Sequence, residues 1–322
     1  MSLATPGIHH VTAIASDPQR NLDFYAGVLG MRLVKRTVNF DDPTTYHFYF
    51  GDSDGTPGSI LTFFPWPGSR RGRQGAGQVG VTSFAILPSS VGFWIERFIR
   101  HNVEFDQPKS RFDDERIIGF KDPDGFLGEL VAHPSAESRK GWHGSAVPGD
   151  HALRGIYAVT LWQESYELTG RLLTESLGFH PVREQASIFR YAAANPGPGC
   201  IVDLRCVPGL WPGVMGAGTV HHVAFRAPDN DAQLAVREDL VKRGHNVTPQ
   251  LDRDYFKSIY FREPGGVLFE IATDPPGFTV DESIETLGHA LKLPEWLEPR
   301  RFEIEALLPN IRLPLELPGP AA

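Results

Sequence analysis

Hydrophobic and polar residues alternate along four similar stretches of the chain. They are "GIHHVTAI" (7–14), "VGVTSFAIL" (79–87), "GIYAVTLW" (155–162) and "VHHVAFRA" (220–227). Alternation with a period of two predicts half-buried β-strands. The segment after each stretch has apolar residues three and four positions apart, which predicts a helix. The predicted helix faces consist of Leu22, Tyr25, Val28 and Leu29; Val91, Trp94, Ile95, Phe98 and Ile99; Leu172, Leu173 and Leu177; and Leu234 and Val241.

A turn motif repeats at the far end of two of these segments. "FKDPDGFLGEL" (120–130) and "FREPGGVLFEI" (261–271) both place an acid-Pro-x-Gly turn before an alternating run. Proline presets the backbone angle φ and glycine accepts positive φ, so each motif predicts a β-hairpin. The second strand of each hairpin carries a glutamate, Glu129 or Glu270.

The sequence pattern therefore predicts a βαβββ unit repeated four times, beginning near residues 7, 79, 155 and 219. This pattern predicts an α+β fold. We expect an N-terminal half, 1–145, with modules 1 and 2, and a C-terminal half, 146–322, with modules 3 and 4. The second half ends in a Pro-rich extension, whose amphipathic stretch 300–309 should pack on the outside.

Composition excludes several classes of protein. The formal charge of −8 disfavours nucleic acid as a partner, because such proteins usually present a basic face. No apolar run approaches the roughly 20 residues that span a bilayer, and the first residues lack the features of a signal peptide. Two cysteines are too few for a disulfide framework. We therefore expect a cytoplasmic protein with no membrane partner. "GAGQVG" (75–80) leads into a strand rather than a helix, which excludes a dinucleotide loop.

Two His-His-Val triplets stand at equivalent places in the first and last repeats, at His9-His10 and His221-His222. With the four units and "YFKSIYFREPGGVLFEIATDPPGF", the chain resembles the vicinal oxygen chelate superfamily (glyoxalase, bleomycin-resistance and extradiol dioxygenase proteins). Within that superfamily it is similar to ring-cleaving dioxygenases of hydroquinone-type substrates. The resemblance covers nearly the whole chain.

The resemblance implies two half-open barrels, each built from paired modules, with ligands on the first and fourth strands. When the four modules are aligned in order, the first-strand position is occupied by His10, Thr82, Ala158 and His222. The fourth-strand position is occupied by Thr62, Glu129, Asp203 and Glu270. Only modules 1 and 4 supply histidine, so we expect module 1 to pair with module 4 and module 2 with module 3. The predicted metal ligands are His10, His222 and Glu270, and the second barrel should hold no metal.

Two histidines and a carboxylate with open positions suit non-haem Fe(II), and Mn(II) would accept the same ligands. A single strand histidine is more often a buried residue with its polar atoms satisfied than a ligand. Glu129 also shows that the hairpin glutamate occurs without histidines. The prediction rests on the coincidence of both histidine pairs and Glu270 at equivalent places in the terminal repeats.

Four further residues are candidate catalytic groups. Strand alternation turns His9 and His221 away from the cavity unless the strands bulge, whereas the resemblance places both near the site. Tyr260, on the strand before the second turn, could hydrogen-bond a substrate oxygen or be a core aromatic residue. Arg253 could pair with an anionic substrate or form a surface salt bridge with a neighbouring aspartate.

The resemblance implies an extradiol-type, non-haem iron dioxygenase that uses O2 on a small aromatic substrate, with hydroquinones first and catechols second. One alternative is a metal-dependent glyoxalase-like isomerase or lyase. Such sites tend to have a second carboxylate where this chain has Thr62. Another is a metal-free sequestering protein of the bleomycin-resistance type, which needs no histidine pair. A homo-oligomer is compatible with each of them, and fold alone does not choose among these functions.

Overall fold

The computed structural model describes residues 4–194 and 197–313. Its strands are β1 (Ile8–Ala15), β2 (Arg32–Asn39), β3 (Asp42–Gly51), β4 (Ile60–Pro65), β5 (Gln78–Ile86), β6 (Glu104–Phe105), β7 (Lys109–Arg111), β8 (Glu115–Lys121), β9 (Leu127–Ala132), β10 (Ile156–Gln163), β11 (His180–Gln185), β12 (Ile188–Ala192), β13 (Ile201–Cys206), β14 (Val220–Ala227), β15 (Leu251–Asp252), β16 (Phe256–Arg262) and β17 (Leu268–Pro276). Its α-helices are α1 (Pro18–Leu22), α2 (Val91–Arg100), α3 (Glu167–Glu175), α4 (Asn230–Lys242) and α5 (Arg301–Leu307).

The strands form two curled sheets, and each sheet combines two modules. One has the order β15-β16-β17-β14-β1-β4-β3-β2, and the other runs β11-β12-β13-β10-β5-β9-β8-β6, with β7 paired to β8. Module 1 therefore pairs with module 4 and module 2 with module 3, as predicted. We call the first sheet the 1/4 barrel and the second the 2/3 barrel. Each half of the chain contributes one module to each barrel.

Acidic residues at the start of α1 and in the second hairpin turn act through their side chains. The Asp17 carboxylate accepts the backbone N–H of Arg20 at 2.7 Å and caps α1, which continues into a π-helical segment, Asp23–Val28. In the second hairpin turn, Glu263 accepts the backbone N–H groups of Gly265 and Val267, each at 2.8 Å. The acidic residue thus fixes the turn that returns the chain onto the Glu270 strand.

The predicted face of α4 was wrong. Leu234 and Val241 are exposed, while Gln233, Val236 and Leu240 are buried against the sheet. The Gln233 amide donates to the carbonyls of Lys257 and Ile271, each at 2.7 Å, so a polar residue occupies the buried face that hydrophobicity alone assigns to leucine.

The C-terminal extension packs on the 1/4 barrel as expected. Ile304 of α5 is buried, whereas Phe302 remains exposed, and the Tyr46 hydroxyl of β3 donates to the Pro309 carbonyl at 3.0 Å. None of the helices in the described part of the chain combines the length and the apolar character needed to cross a bilayer.

Candidate metal centre

Three predicted ligands converge at the floor of the 1/4 barrel. His10 Nε2 lies 3.3 Å from His222 Nε2 and 3.3 Å from Glu270 Oε2, and His222 Nε2 lies 2.8 Å from the same oxygen. Strands β1, β14 and β17 bring them together, because Glu270 is in register with Ala224, two residues beyond His222. Within residues 4–194 and 197–313, this is the one group of metal-ligating side chains this closely spaced.

The donor set fits a divalent metal. A metal about 2.1 Å from each atom, with right angles between ligands, separates neighbouring ligand atoms by about 3.0 Å. The measured separations of 2.8–3.3 Å bracket this value. Glu270 Oε2 is buried, and its near neighbours His10 Nε2 and His222 Nε2 are not aligned to donate to it, whereas its Oε1 accepts from the Ser258 hydroxyl. A buried carboxylate oxygen left in this way is costly unless a cation meets it.

A β-bulge explains why each ligand histidine follows a second histidine. Ile8 pairs with Phe225 but His10 with Ala224, so His9 is an extra residue in β1. Thr12 pairs with His222 but Ala13 with Val220, so the extra residue in β14 is His221. Both strands bulge, which is the stated exception to strict alternation, so His9 and His221 lie beside the ligand histidines instead of facing away.

The extra histidines hold the ligand histidines. His9 Nδ1 lies 2.9 Å from His10 Nδ1, and His221 Nδ1 lies 2.7 Å from His222 Nδ1. A ligand histidine that offers the Nε2 lone pair to a metal carries its proton on Nδ1, and the preceding imidazole can accept that hydrogen bond. His221 also lines the cavity above the ligands.

Burial favours the uncharged forms of His9, His221 and His222 by lowering the pKa of each. Desolvation, and then the neighbouring ligand histidine, lowers the pKa of His9 well below its ordinary value and that of His221 to about 3. Burial also lowers the pKa of His222, although Glu270 opposes the shift. For Glu270, burial favours the neutral acid, but His10 and His222 outweigh it and hold the pKa of the carboxyl well below its usual range.

A cavity of about 370 Å³ opens beside the ligands, and His10 and His222 form part of its lining. It has an aromatic lining, formed by Phe40, His47, Tyr49, Phe64, Trp66 and Phe256. Of the predicted catalytic residues, Tyr260 and Arg253 both reach it. The Tyr260 ring meets His222 edge-on at 5.7 Å between centroids, and the Arg253 guanidinium carbon lies 5.7 Å from the Tyr260 ring centroid. Arg253 Nη2 also lies 3.4 Å from the exposed Asp41 carboxylate, so the arginine forms an ion pair with an aspartate that is distant in sequence.

Sequence reasoning missed several residues of this cavity. His47 and Tyr49 alternate along β3, and Phe256, Ser258 and Tyr260 alternate along β16. Period-two alternation from Tyr260 would have placed Phe256 and Ser258 on its face. No comparable signal points to His47.

The 2/3 barrel has an ion network at the equivalent place. Glu129 is in register with Ser83 and Asp203 with Thr160, matching Glu270 and Thr62. The alignment of Thr82 with His222 was wrong by one residue, because Thr160 pairs with Val81 as Thr12 pairs with His222. Gly80 is the extra residue of that bulge. A Cβ there would lie 2.4 Å from the Trp162 ring, so a histidine has no room.

Two buried arginines supply the positive charge in the 2/3 barrel. Arg190 donates to both Asp203 oxygens at 2.7 Å and to Glu115. Arg111 donates to Glu115 at 2.6 Å and to Glu129 at 2.9 Å. Burial disfavours the charge on Arg190, but Asp203 and Glu115 outweigh it and raise the pKa of the guanidinium.

The buried histidines make the metal-free protein sensitive to acid. Folding lowers the pKa of His9, His47, His221 and His222, so below about pH 6.5 the unfolded chain binds protons that the folded chain does not. Their contribution to stability is present above that pH and declines as pH falls, by about 1.4 kcal/mol per pH unit for each histidine.

We expect urea unfolding of chelator-treated protein to give a markedly lower free energy of unfolding at pH 5.5 than at pH 7. Replacing His221 with Gln should reduce the pH dependence of the free energy of unfolding by the equivalent of about one bound proton. The matched change at His180, which is exposed, should leave it unchanged. A wild-type free energy that is equal at both pH values would contradict this assignment of charge.

Comparisons with known proteins agree with this architecture. A sequence model described as the Glyoxalase/Bleomycin resistance protein/Dioxygenase superfamily matches residues 7–130 and 156–271. A Bacillus subtilis (strain 168) protein provisionally named ring-cleaving dioxygenase MhqO is 48% identical over 310 residues, covering 96% of this chain and 98% of the relative. The chlorohydroquinone/hydroquinone 1,2-dioxygenase of Sphingobium indicum is 33% identical over 306 residues, covering 92% and 94%.

Solved structures give the same result. A crystal structure of a provisionally named dioxygenase from Bacillus subtilis subsp. subtilis strain 168 has a TM-score of 0.90 and 46% identity, and the match covers 97% of this chain and 99% of that one. Glyoxalase I from Zea mays has a TM-score of 0.63 at 16% identity, covering 88% and 97% of the two chains. The second likeness concerns the fold alone.

Proposed function

The chain belongs to the glyoxalase/bleomycin resistance protein/dioxygenase superfamily, and from this premise we propose that it is a metal-dependent dioxygenase that cleaves the ring of a dihydroxylated aromatic compound. Hydroquinones are the first substrate class and catechols the second. Fe(II) is the proposed metal, with Mn(II) as the other candidate, and cleavage is of the extradiol type. The names of the relatives support the ring-cleaving reaction.

One observation carries the proposal. His10, His222 and Glu270 present their ligand atoms within 2.8–3.3 Å of one another at the floor of an aromatic-lined cavity. These three residues would hold the metal and leave it with coordination positions for other ligands, and two histidines with one carboxylate are the ligand set typical of non-haem iron oxygenases. When bound, the metal would supply the redox chemistry that joins O2 to the ring.

Tyr260 and Arg253 are proposed to act on the substrate oxygens. Burial, and then Glu270, raises the pKa of Tyr260 above its ordinary value, so the phenol keeps its proton at neutral pH and donates a hydrogen bond. Arg253 places a positive charge beside it, suited to an anionic ring oxygen. The neutral His221 can exchange a hydrogen bond with substrate, and His9 fixes the orientation of His10.

Thr62 bears on the isomerase alternative. It occupies the fourth-strand position of module 1, in register with Thr12, and its hydroxyl bonds Thr12 and His47. A second carboxylate, typical of glyoxalase-like sites, is replaced by a neutral hydroxyl that is already engaged. The metal-free sequestering function is disfavoured by the buried Glu270 Oε2, since an apolar binding groove gives no reason to bury it.

Oxygen uptake tests the proposal. Anaerobically Fe(II)-loaded protein is expected to consume O2 when given hydroquinone, methylhydroquinone or catechol, and to form a ring-opened chromophore. Removal of the metal by chelation, or the His222→Ala change, should abolish uptake because each removes part of the metal site. Stoichiometric bound metal with no uptake across this panel would contradict the dioxygenase assignment and favour the isomerase.

A further inference from the structure

We propose that His47 positions the substrate by accepting a hydrogen bond, through Nδ1, from the ring hydroxyl that is not bound at the metal. The inference rests on the proposed function, since it assigns a role within the same cavity. It makes His47 a positioning residue that selects a ring carrying a second, protonated hydroxyl.

The position of the His47 ring is fixed by its neighbours. His47 lies on β3 and lines the cavity that also contains His10 and His222. Its ring packs against Tyr49, with centroids 4.1 Å apart, and against Phe64, at 4.3 Å. These two aromatic contacts, together with the bond to Thr62, hold the imidazole in place.

A chain of hydrogen bonds determines which ring nitrogen carries the proton. The Thr62 hydroxyl donates to Thr12 Oγ1 at 2.8 Å, and His47 Nε2 lies 2.9 Å from Thr62 Oγ1. A hydroxyl has one proton to donate. Because Thr62 uses that proton on Thr12, it must accept from His47, which therefore carries its proton on Nε2.

The remaining nitrogen is a hydrogen-bond acceptor on a residue that lines the cavity. Burial, and then the neighbouring His10 and His222, lowers the pKa of His47 well below its ordinary value, so the ring is neutral and Nδ1 has a lone pair. None of the residues that the structure describes donates to Nδ1, and this atom is not among the fully enclosed polar atoms. Nδ1 is therefore open to a ligand.

The chemistry of this acceptor defines what it recognises. A neutral hydroxyl can donate to Nδ1, whereas a methoxy oxygen or a quinone carbonyl can only accept. The site thus distinguishes a hydroquinone from its methyl ether and from its oxidised quinone. A buried acceptor facing another acceptor is left unpaired, which reduces affinity by about ten- to a hundredfold.

Ligand binding to redox-inert protein tests this selection. Calorimetry on anaerobic Zn(II)-loaded protein compares hydroquinone with 4-methoxyphenol, which also brings one hydroxyl to the metal but cannot donate from its other oxygen. We expect the wild type to bind hydroquinone at least about tenfold more tightly. His47→Phe should abolish that ratio, and His47→Asn, whose amide lies near the Nδ1 position, should restore part of it. His180→Phe, the same change at an exposed histidine of the 2/3 barrel, should preserve the ratio.

Long-range ¹H–¹⁵N spectra of the histidine rings supply a second readout that needs no ligand. The wild type is expected to show His47 protonated on Nε2, and Thr62→Val, which keeps the shape but removes the hydroxyl, should give a mixture of tautomers. A wild-type His47 protonated on Nδ1, or an unchanged ligand ratio in His47→Phe, would overturn the inference. Either result would leave the proposed function standing if wild-type Fe(II) protein still consumes O2, and loss of that uptake would be the separate failure of the function.

Discussion

The Glu270→Gln variant is expected to lose its metal and its activity while remaining folded. The amide keeps the size of the side chain but removes the negative charge that faces His10 and His222. Removing a residue that hydrogen-bonds to a metal ligand reduces metal affinity about 10- to 100-fold. Removing the charge of a ligand itself should reduce the affinity by more than that. We expect oxygen consumption to fall by at least about 10³-fold.

The chain contains its own control for this change. Glu129 occupies the equivalent place in the 2/3 barrel, where Ser83 and Arg111 donate to it. Glu129→Gln should bind one metal per chain and turn over as the wild type does. Equilibrium dialysis followed by metal analysis compares the two variants. A Glu270→Gln protein that binds metal as tightly as Glu129→Gln would contradict the assignment of the ligands.

Arg190→Met is expected to destabilise the protein severely without affecting the metal site. The change leaves Glu115 and Asp203 buried with one guanidinium fewer, and removing one partner of a buried ion pair costs about 3–5 kcal/mol. Urea unfolding monitored by circular dichroism should show that loss in the free energy of unfolding. The free energy of unfolding of Arg190→Lys should fall between those of the wild type and Arg190→Met, because an ammonium cannot bridge both carboxylates in the same geometry.

Arg183→Met is the matched control, since Arg183 forms a partly exposed ion pair with Asp114 at 2.7 Å in the same barrel. A pair of that kind contributes about 0–1 kcal/mol. If Arg190→Met were as stable as Arg183→Met, Arg190 would not be the group that compensates the buried carboxylates of the 2/3 barrel.

Most of the correct predictions about the fold came from the fourfold repeat in the sequence. Four units with one βαβββ pattern predicted the α+β fold. Histidines confined to modules 1 and 4 predicted which modules pair, within the paired-module architecture that the resemblance implied. Fourth-strand equivalences were correct at Thr62, Glu129, Asp203 and Glu270 because each of these residues lies four positions past a glycine.

The differences between the sequence-based expectations and the structure have one physical origin. The spacing of hydrophobic residues along the chain shows neither where a strand bulges nor which distant residue a side chain contacts. An extra residue in each first strand brings His9 and His221 beside the ligand histidines, and the same bulge at Gly80 shifted the alignment of Thr82. Gln233 is buried because two distant carbonyls accept from it. His47 acquires its place from contacts with Thr62 and Phe64, which lie on the neighbouring strand.

The central claim is that O2 is joined to an aromatic ring at the site formed by His10, His222 and Glu270. The most direct measurement is mass spectrometry of the product that Fe(II)-loaded protein forms from methylhydroquinone under ¹⁸O2, sampled before oxygen exchange with water. We predict a ring-opened product that contains both labelled atoms, formed by Glu129→Gln and absent with Glu270→Gln. Turnover to an unlabelled isomer of the substrate would contradict the account.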